Sequence, residues 1–158
     1  MPDFVMVLEP TSPARQAFHI REAATLLQSS GADSLASVSE IPHHYIPPKA
    51  LQLQSDGTLT GMDGTPVREM VHRRQDLPTY YAFNGLIFAC TAGVILRDPP
   101  TLWGQKVAAY LVDLKYSLDI DGPEDWSFAE RRFRQLLGKD QSSRLQVIER
   151  RASGDRDG

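Results

Sequence analysis

Phe4-Val5-Met6-Val7-Leu8-Glu9-Pro10-Thr11-Ser12-Pro13-Ala14-Arg15 is the stretch that decides the fold. Its first five residues form an unbroken apolar run, which reads as a strand buried on both faces, as in an α/β core. The Pro- and Ser-rich segment that follows is the kind of loop with which α/β enzymes build the rim of a ligand pocket. Outward from it, Gln16 to Ser30 carries Ile20, Ala23, Ala24 and Leu27 at i, i+3, i+4 and i+7, one apolar helical stripe. Gly31 is placed to end that helix at a left-handed C-cap. Ser34 to Val38 then reads as a short strand. Strand, helix, strand is the unit that builds parallel sheets through right-handed crossovers, so the fold class is α/β.

The bulk numbers fit this. A chain of 158 residues suggests one domain large enough for a substantial core, with 41% hydrophobic and 23% charged residues close to ordinary globular usage. A net charge of −3 argues against a nucleic-acid footprint. The single cysteine, Cys90, lies in the apolar run Leu86 to Cys90, reads as a small buried hydrophobe, and allows no internal disulfide. No apolar run reaches the roughly 18 residues of a spanning helix, and the first residues do not have the form of a secretion signal. A cytoplasmic protein without a membrane partner is the expectation.

From Ile41 to Pro48 the texture turns to loop, with three prolines and the adjacent pair His43-His44. Leu51 to Gln54 alternates, Asp56-Gly57 is a turn signal, and Thr58 to Thr60 begins a return strand. This hairpin has too small an apolar side to stand alone and should lean on the main domain or on another subunit. Residues 45–78 therefore read as an insertion. The core resumes at Gly85 to Ala89 and again at Val107 to Leu114. Asp121-Gly122-Pro123-Glu124-Asp125 reads as a helix start, with a cap, Pro in the first turn and acidic residues behind it. Trp126, Ala129, Phe133 and Leu136 give that helix one face for the sheet, and Arg131, Arg132 and Arg134 its solvent face. Residues 139–158 read as a polar, flexible tail, with at most one further helical turn around Leu145 to Ile148 and a frayed end from Ser153.

Five groups of residues suit chemistry. Asp119-Ile120-Asp121 on extended backbone points two carboxylates to one side, an arrangement that magnesium favours; equally, Asp121 caps the next helix while Asp119 is solvated. Arg73-Arg74 stands where insertion meets core, either clamping phosphate or carboxylate or forming a weakly paired surface site. Asn84-Gly85 signals a turn, or an amide suited to sugar hydroxyls at a strand end. Ser12, with Thr11, offers an anion site at a helix start, or simply caps that helix. His43 and His44 point apart on extended backbone, which makes a poor chelate, and Lys49 by itself is a surface lysine.

Taken together, Leu8-Glu9-Pro10-Thr11-Ser12-Pro13, His19-Ile20-Arg21-Glu22-Ala23, Ala32-Asp33-Ser34, Val38-Ser39, His43-His44, Arg74-Gln75-Asp76-Leu77-Pro78, Asn84-Gly85 and Ser117-Leu118-Asp119-Ile120-Asp121 resemble the acylneuraminate cytidylyltransferase family, from about Phe4 to Leu137. The resemblance implies a Rossmann-like, three-layer nucleotidyltransferase core with a protruding β-hairpin dimerisation insertion. It implies transfer of CMP from CTP to the anomeric hydroxyl of a nonulosonic (sialic-type) acid, with release of pyrophosphate, in a magnesium-dependent homodimer. By motif position Asp119 and Asp121 would hold Mg2+ and Arg74 would serve the reacting groups, while Glu9, Ser12, Lys49, Gln75 and Asn84 would contact substrate. Three departures accompany it. Glu9 replaces the family's usual Gln, Ala82 replaces an arginine two residues before Asn84, and no Gly- and Lys-rich phosphate loop precedes Phe4. The expectation is a core truncated at its N-terminus (residues 1–138) whose isolated chain has weak or no turnover. The alternatives are a non-catalytic fragment or dimerisation module, or one half of a split enzyme.

Overall fold

A computed structural model describes residues 3–70 and 73–153, with side chains described through residue 138 except that of Arg74. The fold is a mixed α/β arrangement. Its elements are β1 (Phe4–Val7), α1 (Ala17–Ser30), β2 (Ser34–Glu40), β3 (Leu51–Leu53), β4 (Leu59–Gly61), β5 (Tyr81–Thr91), α2 (Ala92–Ile95), β6 (Val107–Leu111) and α3 (Pro123–Ser153). Four strands form the main sheet in the order β1-β5-β2-β6. The crossover read from sequence is there, since β1 and β2 run the same way, but β5 lies between them and antiparallel to both. Only β2 and β6 are parallel neighbours.

This order corrects the first strand. β1 pairs with β5 alone and is half-buried at all four positions, so its apolar run marks an edge strand rather than one covered on both faces. The central pair is β5 and β2, where six consecutive residues of β2 are buried. Helix α1 covers one face of the sheet: its Ala23 and Leu27 pack with Leu35, Leu86, Ile87, Ala89 and Tyr110 into the core. Gly31 ends α1 with φ +61°, the left-handed cap expected of it.

Asn84-Gly85 is not a turn before a strand but a bulge inside one. Gly85 takes φ +70°, and the β2–β5 register shifts between Ala36 and Val38. A bulge needs one residue free of Cβ restraint, and glycine supplies it. Three side chains fill the gap opened in the ladder. Ser37 Oγ accepts from Ile87 N (2.8 Å) and donates to Asn84 Oδ1 (2.6 Å), which also accepts from Leu86 N (3.2 Å). Asn84 Nδ2 donates to Ser39 Oγ (2.8 Å), which donates onward to the Val112 carbonyl (2.8 Å). Among the described residues no buried side-chain nitrogen or oxygen is left without a partner.

The hairpin forms as expected, β3 antiparallel to β4 in a separate two-stranded sheet. Its leucines are exposed, Leu53 at 71% with Leu51 and Leu59 beside it, while β4 meets the turn at Val67–Glu69 and Thr60 bridges to Pro66. The backbone of α3 continues to Ser153, so residues 139–153 prolong the helix beyond Leu137; residues 154–158 of the expected tail, and the side chains of Leu145 to Ile148, lie outside the described residues. Ala129 is buried and Phe133 and Leu136 are half-buried, as the helical spacing requires, but Trp126 is 63% exposed and does not pack on the sheet. Arg131, Arg132 and Arg134 face solvent, Arg134 pairing with Glu130 one turn back (2.7 Å). Cys90 is a free, buried thiol, and burial pushes its pKa up. Among the described residues no helix is long and apolar enough to cross a membrane.

Candidate functional site

Three segments far apart in sequence meet at the bulge: the loop after β1, the middle of β5 and the segment before α3. Ser12 is not the cap of α1, which begins at Ala17 with Gln16 as the flanking residue. Instead Ser12 is buried and its Oγ donates to the Gly85 carbonyl (3.1 Å). Arg15 adds a second clamp. Its Nε donates to the Leu86 carbonyl (2.7 Å) and a terminal nitrogen donates to the Glu9 carbonyl. Partial burial lowers the Arg15 pKa, against the opposing pull of the Glu9 carboxylate. On the other side Ile120 N donates to the Thr11 carbonyl (3.1 Å), which binds the segment carrying Asp119 to the same loop.

The bare α-carbon of Gly85 lies at the centre of these contacts. A methyl group placed there would stand 3.1 Å from Glu9 Oε2, 3.5 Å from Ser12 Oγ and 3.9 Å from Asp119 Oδ2. Two carboxylates and a hydroxyl therefore converge on one point beside the bulge of β5. All three are hard oxygen donors, the type Mg2+ selects, and their number leaves room for water and phosphate oxygens. Asp121 is exposed and lines a neighbouring shallow cleft with Pro123 and Trp126. The helix-start capping expected of Asp121 falls to Asp125, whose Oδ2 accepts from Asp121 N (3.0 Å) and Gly122 N (2.9 Å). Among the described residues no group of three or more His, Cys, Asp or Glu is disposed to hold a metal ion.

The other expected residues lie around the end of β2 and the start of β5. A cleft of about 400 Å³ between the end of β2 and the start of β5 is lined by Glu40, His43, Gln75 and Tyr80, among others. Gln75 is exposed on a 3₁₀ turn, Arg74–Asp76; the Arg74 side chain lies outside the described residues. Lys49 is half-buried and donates from Nζ to His43 Nε2 (3.0 Å). Asn84 is buried within its serine network, with its oxygen fully engaged, so at most one Nδ2 hydrogen remains for a ligand.

Sequence reasoning missed Arg15, Ser37 and Ser39 as residues that shape this site. The alternating serines of a buried strand, Ser37 and Ser39, were the available signal: polar groups there must find partners. Nothing local marked Arg15, because its acceptors are carbonyls 6 and 71 residues away.

No family model matches the chain. Individual proteins do. N-acylneuraminate cytidylyltransferase of Streptococcus agalactiae serotype V is 33% identical over 124 residues, which is 78% of this chain and 28% of that protein. N-acylneuraminate cytidylyltransferase A of Danio rerio is 29% identical over 154 residues, covering 96% of this chain and 34% of its own length. CMP-N,N'-diacetyllegionaminic acid synthase of Legionella pneumophila is 30% identical over 135 residues, 82% of this chain and 53% of that protein. Over most of its own length, then, the chain is related to the N-acylneuraminate cytidylyltransferases, while spanning only 28% to 34% of theirs.

Proposed function

We propose that this chain carries the sugar- and metal-facing part of a cytidylyltransferase site for a sialic-type nonulosonic acid. The observation that carries the reading is the convergence of Glu9, Ser12 and Asp119 on the open side of Gly85, in a segment similar to enzymes named for that reaction. In this reading the main sheet is part of a Rossmann-like three-layer core, and β3–β4 is the dimerisation hairpin of a cytoplasmic homodimer. The reaction joins the anomeric oxygen of the sugar to the α-phosphorus of CTP; the bond from that phosphorus to the pyrophosphate oxygen breaks, and the hydroxyl proton goes to solvent.

Asp119, and Asp121 after a rotation toward it, would hold Mg2+, which when bound offsets charge on the phosphate oxygens. Arg74 and Lys49 would meet the anionic groups, because guanidinium and ammonium are the cations suited to phosphate and carboxylate. Gln75 and the remaining Asn84 N–H would bind substrate from the β5 side. Glu9 accepts hydrogen bonds only, so it would take sugar hydroxyl or amide donors and repel a carboxylate brought near it. The substrate's own carboxylate must then point away from Gly85, toward Lys49 and Arg74.

Calorimetric titration of the purified 158-residue chain with CTP and magnesium, then with sialic acid, tests the reading. Sugar binding that depends on Asp119 and Glu9, with weak or no release of CMP-sugar, is the expected result. No binding of either ligand would refute a substrate site. The exposed leucines of the hairpin favour a second reading, a non-catalytic assembly module, and in that case the chain self-associates but binds neither ligand. The free edge of β1 suits a third arrangement, in which a separate chain completes the enzyme.

A further inference from the structure

Glu9 and Ser12 reach Gly85 from the loop after β1, and Asp119 reaches it from the segment before α3, so two arms of the chain must be held at a fixed distance. One buried side chain touches both. His19 stands in the first turn of α1, is 2% exposed, and accepts through Nδ1 from Gln16 N (3.0 Å), where the first arm ends. Its ring also lies edge-on to Tyr116, with centroids 4.7 Å apart and planes at 77°. Tyr116 closes the 3₁₀ turn Leu114–Tyr116, just before Asp119 on the second arm. Phe18 holds the ring from another side at 4.0 Å, and Tyr110 of β6 faces it at 6.3 Å. Between Gln16 and the bulge the first arm has little slack. Arg15 N donates to the Ser12 carbonyl (3.3 Å), and the Ser12 hydroxyl and Arg15 guanidinium bind the carbonyls of Gly85 and Leu86.

We infer that His19 is a positioning residue of the candidate site, setting the loop that carries Glu9 and Ser12 against the segment that carries Asp119. It rests on the reading of those three residues as one substrate-facing site. The role needs a neutral ring: with its hydrogen on Nε2, the imidazole offers Nδ1 as acceptor to Gln16 N. A proton taken from solvent onto Nδ1 turns that acceptor into a donor, sets N–H against N–H, and leaves a charge at a position only 2% exposed. The charged groups facing His19 are Glu22, which favours that proton, and Arg15 and Lys115, which oppose it; the remaining neighbours are the rings of Phe18, Tyr110 and Tyr116. Burial outweighs Glu22 and lowers the His19 pKa from its ordinary 6.5. The clamp is therefore complete above about pH 6.5 and loosens as pH falls below it.

Amide hydrogen exchange of the whole chain tests this, because Ile120 N–H, bound to the Thr11 carbonyl, joins the two arms. Ile87 N–H, bound to Ser37 Oγ inside the sheet (2.8 Å), reports the fold as a whole. His19→Ala should lower the protection of Ile120 relative to Ile87 by roughly fivefold or more, the equivalent of one hydrogen bond lost at the clamp. In wild type the same ratio should fall between pH 7.5 and pH 5. His19→Gln, which puts the usual capping-box acceptor at this position and does not titrate, should hold it constant. Binding of sialic acid should weaken in parallel, several-fold in His19→Ala and at the lower pH in wild type. A ratio indifferent to His19→Ala overturns the inference. Where that variant does not fold, an equal pH dependence in wild type and His19→Gln overturns it instead. The expected Ile120 response with no binding of sialic acid by wild type at any pH leaves His19 as the clamp and refutes the substrate reading of the site.

Discussion

Gly85→Ala should be costly twice over, and the two costs can be separated. At φ +70° a Cβ meets the steric penalty of left-handed backbone, about 1–2 kcal/mol for an ordinary L-residue. The new methyl would also stand 3.1 Å from Glu9 Oε2 and 3.5 Å from Ser12 Oγ. Glu9 is half-buried and its carboxylate is the far end of a flexible side chain, so it can rotate away. Ser12 Oγ at 3.5 Å would be in ordinary van der Waals contact and keeps its bond to the Gly85 carbonyl. The backbone penalty of about 1–2 kcal/mol therefore dominates, and displacement of the Glu9 carboxylate adds to it. Gly31→Ala supplies the control, since Gly31 has nearly the same φ, +61°, and nothing within 4 Å of its Cβ position. It should lose only the backbone part, about 1–2 kcal/mol. Urea unfolding of the three proteins measures both, and for a chain of this size each kcal/mol also lowers Tm by about 2–4 °C. A Gly85→Ala protein as stable as wild type would show that Gly85 does not hold the left-handed bulge that faces Glu9, Ser12 and Asp119. The convergence on which the site reading rests would then be refuted.

Three further outcomes follow from the same contacts. Burial lowers the His19 pKa from its ordinary 6.5, outweighing the raising effect of Glu22, and its Nδ1 accepts from Gln16 N at 3.0 Å. The folded state therefore resists a proton that the unfolded chain accepts, so the His19 contribution is full above about pH 6.5 and is lost as pH falls below it; the urea midpoint should drop between pH 7.5 and 5.5 in wild type, and a pH-independent midpoint would contradict the assignment. Asn84→Ala removes the shared partner of Ser37, Ser39 and Leu86 N, and leaving buried groups unsatisfied should cost at least about 2 kcal/mol in denaturant unfolding, whereas a surface-like loss of a few tenths would mean that the network is open to water. Leu53→Lys, at a position 71% exposed, should leave unfolding of the isolated chain within about 0.5 kcal/mol of wild type while weakening self-association in sedimentation; unchanged association would remove the hairpin from the interface.

What was legible in the sequence was local. The stripe of α1, its Gly31 cap, the β3–β4 hairpin and the inward turn of Phe133 all follow from spacing and turn chemistry that operate within a few residues. What was hidden depended on neighbours distant in sequence. An apolar run such as Phe4–Leu8 reads alike at the centre and at the edge of a sheet, because strand order is set by β5, about eighty residues on. Asn84-Gly85 has the same letters in a turn and in a bulge, and only the pairing with Ser37 and Ser39 decides between them. Trp126 fits the helical period of its neighbours yet stays in solvent, since period fixes the face and not what covers it. The site was legible in part. Glu9, Ser12 and Asp119 do meet, while Gln75 lines a separate cleft at the end of β2, Lys49 bonds His43 in its wall, and Arg15, which clamps the loop, carried no local signal.

The strand order also sets a timetable for synthesis. β5 is the partner of both β1 and β2, and Phe4 pairs with Thr91. No two neighbouring strands of the main sheet are complete until residue 91 has left the ribosome, 87 residues after Phe4. At about 5–20 residues per second that is roughly 4–17 s during which Phe4-Val5-Met6-Val7 waits for the strand it pairs with. Among the described residues, α1, the β3–β4 hairpin and the short 3₁₀ turns can form from nearby residues in the meantime.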